Sequence, residues 1–196
     1  MLAASLVEAQ EWQPLFNGRD LAGWRANNDA ASFRVERGLL RVQSTQSFRA
    51  HLFYVGDDPD RPARFTNFEL VAVARAEPNA NGGIFFHTDM STRDALMHLA
   101  NGYEVQLNSS PKEPRKTGSL YGIVDLSQSI ADESQWFTLR IVVKGKRIQV
   151  YLNDDVKRQP PREGRRLLPQ GGAIALQAHD DTSVWYFRDI RVRALP

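Results

Sequence analysis

The chain has 196 residues, of which 42% are hydrophobic and 24% are charged, and its formal net charge is +2. This composition is typical of a folded globular protein, excludes a disordered chain, and at this length predicts one domain. The absence of cysteine excludes disulfides, thiol catalysis and thiolate metal sites.

The first residues are rich in Leu and Ala, and Val7-Glu8-Ala9 places small residues where a signal peptidase would cut. No basic residue precedes Arg19, so this segment is not a complete secretion signal. We interpret residues 1–11 as either the remnant of a signal peptide or an N-terminal extension, and we expect a periplasmic or secreted protein. Residues 12–196 are expected to form a single domain.

Short segments in which apolar and polar residues alternate, separated by Gly, Pro and Asn turns, make up most of the remaining chain. This pattern predicts β-strands at 33–36, 39–43, 51–55, 68–75, 82–87, 103–108, 136–144, 147–153, 172–179 and 184–193. One short helix is predicted at 91–100. Many strands without long intervening helices predict an all-β fold, an antiparallel β-sandwich.

Two of these strands carry amides, a carboxylate and an imidazole where a solvent-exposed strand usually carries Lys, Thr, Ser or Arg. Because successive side chains of a strand point to opposite faces, Glu104, Gln106 and Asn108 share the face opposite to their apolar neighbours. Gln177 and His179 are placed in the same way on the second strand. These residues predict the polar lining of a cleft.

The segment Leu-Phe-Asn-Gly-Arg-Asp-Leu-Ala-Gly-Trp at 15–24 resembles the opening LFxGxxLxGW of the 3-keto-disaccharide hydrolase family, first catalogued as a domain of unknown function. Similar blocks follow in the family's order: Asn81-Gly82-Gly83-Ile84-Phe85-Phe86, Tyr103-Glu104-Val105-Gln106, Thr117-Gly118-Ser119-Leu120-Tyr121-Gly122, Tyr151-Leu152-Asn153, Ala175-Leu176-Gln177-Ala178-His179 and Phe187-Arg188-Asp189-Ile190. The resemblance implies a concanavalin A-like, LamG-like jelly roll. It also implies secreted bacterial relatives that act on glycosides oxidised at C3.

The chain departs from the family pattern at three places. His87 stands where many members have Arg, Asn153-Asp154 replaces an Asn-Gly turn, and Asp180 replaces the Gly that usually follows the last His. His87 and Asp180 are next to the predicted cleft, so the resemblance does not determine the substrate preference.

The implied chemistry needs few protein groups. A keto group at C3 acidifies the hydrogen on C2, so a base can remove it, the C1 substituent can leave, and water can then add to the enone. One base, one acid and donors to the enolate oxygen suffice, unlike the paired carboxylates of ordinary glycosidases. We expect Glu104 and His179 to be the catalytic residues, either one acting as the base while the other protonates the leaving oxygen or holds a metal.

Five further residues are candidate contacts to the substrate. Gln106 and Gln177 are expected to orient the sugar or to donate to its C3 oxygen. His87 is in phase with the cleft face, although a structural histidine would have the same pattern. Tyr121 and Lys116 are candidate sugar contacts, since an aromatic ring with a polar tip stacks on sugar faces.

No close ligand spacing typical of a metal site is present, so no metal-binding residue is predicted and no cofactor is firmly implied. A divalent metal such as Ca²⁺ at Asp180-Asp181 would be structural at best. The basic runs at 112–116 and 162–166 contain Pro and resemble loops, so the expected partner is a carbohydrate and not a nucleic acid. No apolar run approaches the roughly 20 residues of a membrane span, and the oligomeric state stays open.

An alternative function is a non-catalytic, lectin-like carbohydrate-binding module, because one sandwich fold serves several functions. A structural adhesion domain is a weaker alternative. A binding module needs amides and aromatic rings, whereas the enzyme needs the titratable Glu104 and His179.

Overall fold

The computed structural model describes residues 11–153, 155–157 and 170–196. Residues 1–10 of the predicted N-terminal segment and the basic run at 162–166 lie outside this described part. Within it the chain forms thirteen strands: β1 (Gln13–Pro14), β2 (Trp24–Ala26), β3 (Phe33–Glu36), β4 (Leu39–Val42), β5 (Ala50–Tyr54), β6 (Phe68–Ala76), β7 (Asn81–Thr88), β8 (Tyr103–Asn108), β9 (Phe137–Lys144), β10 (Arg147–Leu152), β11 (Asp155–Lys157), β12 (Ala173–Ala178) and β13 (Trp185–Ala194).

The strands form two antiparallel sheets. The larger sheet has eight strands in the order β11-β10-β9-β6-β13-β4-β3, with β1 paired to β13. The smaller sheet has five strands in the order β2-β5-β12-β7-β8. The predicted antiparallel β-sandwich is therefore confirmed.

The main core lies between the two sheets and follows from the alternation of side chains along the strands. In β9, Leu139, Ile141 and Val143 point inward and are at most 1% exposed. Val105 and Leu176 of the smaller sheet belong to the same buried cluster and are fully buried. These inward positions are the ones that the alternating sequence pattern predicts.

A second apolar cluster covers part of the outer face of the five-stranded sheet. It consists of Phe53, Phe85, Leu99, Ala173 and Ala175. Because the loop that carries Leu99 packs on this face, every residue of β7 and β12 is buried. The smaller sheet is thus covered on both faces at one end, and the cleft described below begins beside this cluster.

The predicted helix at 91–100 is wrong, and the described residues contain no α-helix, only a short 3-10 turn at Ala30–Ser32. The Asp94 carboxylate accepts the backbone N–H groups of Leu96 and His98, at 3.1 and 3.2 Å. Such side-chain to backbone bonds compete with helix formation. Across all the residues that the structure describes, no helix is long and apolar enough to cross a membrane.

Truncation of the core should be far more costly than truncation of the outer face. We expect Leu176→Ala to lower the free energy of unfolding by about 2–5 kcal/mol, because it leaves a cavity between the sheets. The control is Gln149→Ala on the outward face of β10, where we expect less than about 1 kcal/mol. Urea denaturation measures both, and equal losses in the two variants would contradict this arrangement of the core.

Candidate functional site

A cleft with a volume of about 490 Å³ lies on the outer face of the five-stranded sheet. One wall is the loop that includes Arg93, His98 and Asn101, and the opposite wall carries Glu113 and Tyr121. The floor is formed by side chains of the sheet itself, so rigid strands position them.

Antiparallel pairing arranges the floor in two rows that cross β5, β12, β7 and β8. One row consists of His51, Gln177, Gly83 and Gln106, and the next consists of Phe53, Ala175, Phe85 and Glu104. Because Gly83 has no side chain, the first row has a gap at its centre. The Glu104 carboxylate lies across this gap, since a Cβ atom built on Gly83 would overlap it.

The two glutamines beside the gap are buried, and each has one unused acceptor. Gln106 is 2% exposed and donates through Nε2 to Asn81 Oδ1 at 2.8 Å. Gln177 is 5% exposed, and its Nε2 lies 3.4 Å from His51 Nε2. The Oε1 atoms of both glutamines have no hydrogen-bond partner among the described residues. A buried acceptor without a partner costs about 1–3 kcal/mol, so both oxygens are suited to accept a hydroxyl of a ligand.

The His179 ring is held between the Asp180 carboxylate and the Arg49 guanidinium. Its Nδ1 lies 2.8 Å from Asp180 Oδ2, and its Nε2 lies 2.8 Å from Arg49 Nη2. Because Arg49 can only donate, His179 Nε2 is the acceptor and Nδ1 carries the proton given to Asp180. Burial lowers the pKa of His179, although the hydrogen bond to Asp180 opposes this. Burial acts to raise the pKa of Asp180, but hydrogen bonds led by the one from His179 lower it to about 2.

Arg49 supplies a partly buried positive charge at the cleft. Burial lowers the pKa of Arg49, and the negative charge of Glu104 is the main influence opposing it. The backbone N–H of Arg49 donates to the Leu96 carbonyl at 3.3 Å, which ties the beginning of β5 to the cleft wall. The cleft therefore brings together a carboxylate, a guanidinium and a neutral imidazole.

Tyr121, a predicted sugar contact, lies at the rim of the cleft. The Arg115 guanidinium stacks 4.4 Å from the centre of the Tyr121 ring and also donates to Glu113 Oε1 at 3.3 Å. Burial raises the pKa of Tyr121, and the Glu113 carboxylate adds to this. Tyr121 is thus a protonated phenol fixed by stacking at the mouth of the cleft.

His87 does not line the cleft, so its prediction as a substrate contact is not supported by its position. The pairing of β7 with β12 is irregular between Ala173 and Ala175, and His87 has a positive φ of 50°. Such a β-bulge re-aims the side chain. Nε2 of His87 lies 2.8 Å from the Thr66 carbonyl oxygen, and the centre of the His87 ring lies 6.1 Å from that of Phe68. Burial lowers the pKa of His87.

Lys116 also does not line the cleft, although it was predicted to contact the sugar. Its Nζ donates to the carbonyls of Ser110 and Glu113, at 2.5 and 2.9 Å. Asn108, the last polar residue of β8, donates to the carbonyls of Glu113 and Arg115, at 2.8 and 2.7 Å. Both side chains organise the loop that carries Glu113 to the rim.

The sequence interpretation did not select Arg49, His51 and Asn81 as site residues, nor the wall residues Arg93 and His98. Arg49 and His51 are in phase with Phe53 on the cleft side of β5, so alternation along that strand was an available signal. The wall residues lie on a loop whose course no periodic pattern reveals.

The described residues contain no group of three or more His, Asp or Glu side chains placed to hold a metal ion. At the suggested calcium position, Asp180 Oδ1 accepts hydrogen bonds from the backbone N–H and hydroxyl of Thr182, and Oδ2 is bonded to His179. Because its oxygens already accept these hydrogen bonds, Asp180 does not fit a metal site.

The two antiparallel sheets, packed face to face, place the protein in the class of concanavalin A-like, jelly-roll β-sandwiches. Residues 11–193 match the profile of the 3-keto-alpha-glucoside-1,2-lyase-like domain. The chain belongs to this family, which confirms the resemblance in the sequence blocks.

Solved structures support the same fold. The chain is similar to a provisionally assigned glycosyl hydrolase from Parabacteroides distasonis ATCC 8503, with a TM-score of 0.74, 18% identity and 94% of both chains covered. It is also similar to the carbohydrate-binding module CBM66 from Bacillus subtilis, with a TM-score of 0.61, 16% identity and 91% of this chain and 99% of that chain covered.

A third similar structure is the exoplasmic/lumenal domain of VIP36 bound to Ca²⁺ and Man3GlcNAc, with a TM-score of 0.59, 13% identity and 89% of this chain and 84% of that chain covered. At these identities the likenesses establish the jelly-roll fold. No curated protein matches this chain in sequence.

His51, the fully buried end of the first floor row, should make stability depend on pH. Burial, assisted by the charge of Arg49, lowers its pKa from 6.5 to about 3. Between these two pKa values His51 is protonated in the unfolded chain but neutral in the folded protein. The free energy of unfolding therefore falls as the pH drops from about 6.5 towards 3.

We expect this loss to be steeper in the wild type than in His51→Gln. Urea denaturation at several pH values between about 7.5 and 4.5 measures it. His87 and His179, whose pKa values are also lowered, contribute to both proteins, so the difference in slope isolates His51. Parallel curves for the two proteins would contradict the burial of a neutral imidazole.

Proposed function

We propose that the protein cleaves 3-keto glycosides by elimination across C1 and C2, followed by addition of water. The observation that carries this proposal is the Glu104 carboxylate, which lies over the gap at Gly83 beside buried amide oxygens and within the electrostatic influence of Arg49. Membership of the 3-keto-alpha-glucoside-1,2-lyase-like family supports the same chemistry.

Glu104 is the proposed base. His179 is not assigned as the base because both of its ring nitrogens are engaged, one with Asp180 and the other with Arg49. Glu104 is a carboxylate that lines the cleft. Glu104 removes the hydrogen from C2, and the electron pair of that C–H bond forms the enolate of the C3 ketone. A carboxylate within reach of the reacting hydrogen contributes about 10²–10⁴ in rate.

Arg49 is the proposed stabiliser of the enolate oxygen. Its guanidinium is partly buried, and hydrogen bonding to His179 fixes its position before the substrate arrives. A preorganised donor directed at a developing oxyanion is a large contributor to catalysis. His179 and Asp180 act in this scheme as positioning residues for Arg49.

The second half of the elimination returns the proton. The enolate re-forms the C3 carbonyl, a C1–C2 double bond forms, and the C1–O bond breaks. The leaving oxygen takes the proton that Glu104 removed, so elimination consumes no external acid. Water then adds its hydroxyl to C1 and its hydrogen to C2, which gives a free 3-keto sugar and completes a net hydrolysis.

A second candidate is a carbohydrate-binding module, and the similarity in fold to CBM66 and to the sugar-bound VIP36 domain favours it. Incubation with a 3-keto disaccharide, with sugar release followed over time, separates the two functions. Release supports the enzyme. Binding of such sugars without release from any of them supports the module.

Glu104→Gln should remove turnover while sparing the fold. The amide is isosteric but cannot accept the C2 proton, so we expect kcat to fall about 10²–10⁴-fold. The control is Glu113→Gln, which alters a rim carboxylate paired with Arg115 and should change KM more than kcat. Sugar-release kinetics and thermal melting measure both. Equal effects on kcat in the two variants would contradict the assignment of the base.

Substitutions at Gly82 and Gly83, the adjacent glycines of β7, provide a second pair of matched variants. Gly83→Ala should displace the Glu104 carboxylate, because the new methyl group occupies its place on the cleft face. Gly82→Ala instead places a methyl group 3.0 Å from Trp185 Cδ1 in the core. We expect Gly83→Ala to lose activity at nearly normal stability and Gly82→Ala to lose stability, as measured by sugar release and thermal melting. The opposite pattern would show that the faces of β7 are assigned incorrectly.

A further inference from the structure

The outer face of the eight-stranded sheet, on the side of the molecule away from the cleft, is strongly basic. Outward positions of β3, β4, β6, β9, β10 and β13 hold nine basic residues against three acidic ones, a surplus of six, whereas the whole chain has a net charge of +2. The basic residues are Arg34, Arg41, Arg75, Arg140, Lys144, Arg147, Arg188, Arg191 and Arg193, and the acidic ones are Glu36, Glu69 and Asp189.

Strand pairing concentrates three of these arginines in a line. Arg75 is paired with Tyr186, Tyr186 with Arg41, and Arg41 with Arg34, across β6, β13, β4 and β3. Like charges directly opposite each other destabilise a sheet. Among the described residues, Glu36 is the one carboxylate within 4.0 Å of Arg34 or Arg41, and it contacts both. Arg75 has a separate acidic neighbour, Glu77, at 3.8 Å. Two carboxylates thus serve the three arginines, and the surplus positive charge is available to an external anion.

Aromatic rings hold two arginines of this surface in fixed orientations. The Arg75 guanidinium lies 4.5 Å from the centre of the Tyr186 ring and 5.4 Å from that of Trp136. The exposed Arg188 lies 4.7 Å from the Trp136 ring, and no described carboxylate is within 4.0 Å of it. A stacked guanidinium keeps its N–H edge available, and its planar fork matches the paired oxygens of a carboxylate or sulfate group.

We propose that this arginine row (Arg34, Arg41 and Arg75), together with the neighbouring Arg188, binds an acidic polysaccharide that carries carboxylate or sulfate groups along an extended chain. Neighbouring strands are about 4.8 Å apart, so the row presents closely spaced cations in a line across the sheet. The charge complementarity with a linear polyanion is direct.

Other polyanionic partners fit this surface less well. The exposed large hydrophobic side chains among the described residues are Leu96 and Ile130, and neither belongs to the strands of this sheet. The surface therefore has no apolar anchor for insertion into a lipid headgroup region. The rings of Trp136 and Tyr186 are covered by guanidinium groups, so they are not open platforms for nucleic-acid bases.

Binding of heparin as the sulfated probe and polygalacturonate as the carboxylated probe, measured by calorimetry at low and high salt, tests the proposal. We expect at least one probe to bind at low salt and to weaken as salt is added. In Arg34→Gln/Arg75→Gln we expect the Kd to rise on the order of tenfold, from the loss of charge-assisted hydrogen bonds. The better of the two probes identifies the anionic group.

The control Arg61→Gln/Lys112→Gln removes the same charge from exposed positions outside the strands of this sheet, and its Kd should stay within about twofold of the wild-type value. Glu104→Gln should bind the probes normally, so failure of this proposal is distinguishable from failure of the cleavage activity. Where thermal melting shows that the double variant is unfolded, Arg188→Gln replaces it, with an expected rise in Kd of about threefold.

Three results would overturn the proposal. The first is no binding of either probe at low salt, and the second is an equal loss of affinity in the two double variants. The third is tighter binding to phosphatidylserine vesicles or to duplex DNA than to both polysaccharides.

Discussion

Side chains interdigitate between the two sheets, and this packing uses every second residue of the strands that form the smaller sheet. The other residues of these strands point to the outer face of the sheet, and the loop that carries Leu99 covers only some of them. The cleft occupies the remaining part. Its polar floor is thus held by backbone that the core immobilises, and catalysis or recognition there needs little reorganisation.

Within the cleft, a chain of hydrogen bonds runs from the half-buried Asp180 carboxylate through His179 and fixes the position of the Arg49 guanidinium. Asp180 determines the tautomer of His179, and in that tautomer Nε2 accepts a hydrogen bond from Arg49 Nη2. This arrangement depends on the Asp180 carboxylate, which accepts a hydrogen bond from Nδ1 of His179. It positions a guanidinium opposite Glu104 without placing a second charge on the imidazole.

Much of the fold and part of the site could be predicted from the sequence, for one reason. The twofold alternation along a strand is local, so it identified both the inward residues and the outward Glu104, Gln106, Gln177 and His179. Features that depend on irregular backbone were not predictable in this way. The bulge re-aims His87, and side-chain bonds of Asp94 replace the expected helix.

Lys116 illustrates the same limit in a loop. A lysine near a presumed sugar site suggests a ligand contact, but here its ammonium group satisfies backbone carbonyls that have no strand partner. Charge and proximity in sequence do not distinguish these two uses. Only the path of the loop does, and that path depends on distant contacts such as the bonds from Asn108.

Gly82 and Gly83 make the smaller sheet unusually thin at one point. On the inner side the Trp185 indole approaches the backbone, on the outer side Glu104 crosses it, and no side chain of β7 separates them. The shape of the core is therefore transmitted to the cleft through a single layer of peptide groups. Trp185, although only 1% exposed, is therefore a determinant of cleft geometry, and a substitution at this buried position can alter substrate preference without changing any residue that lines the cleft.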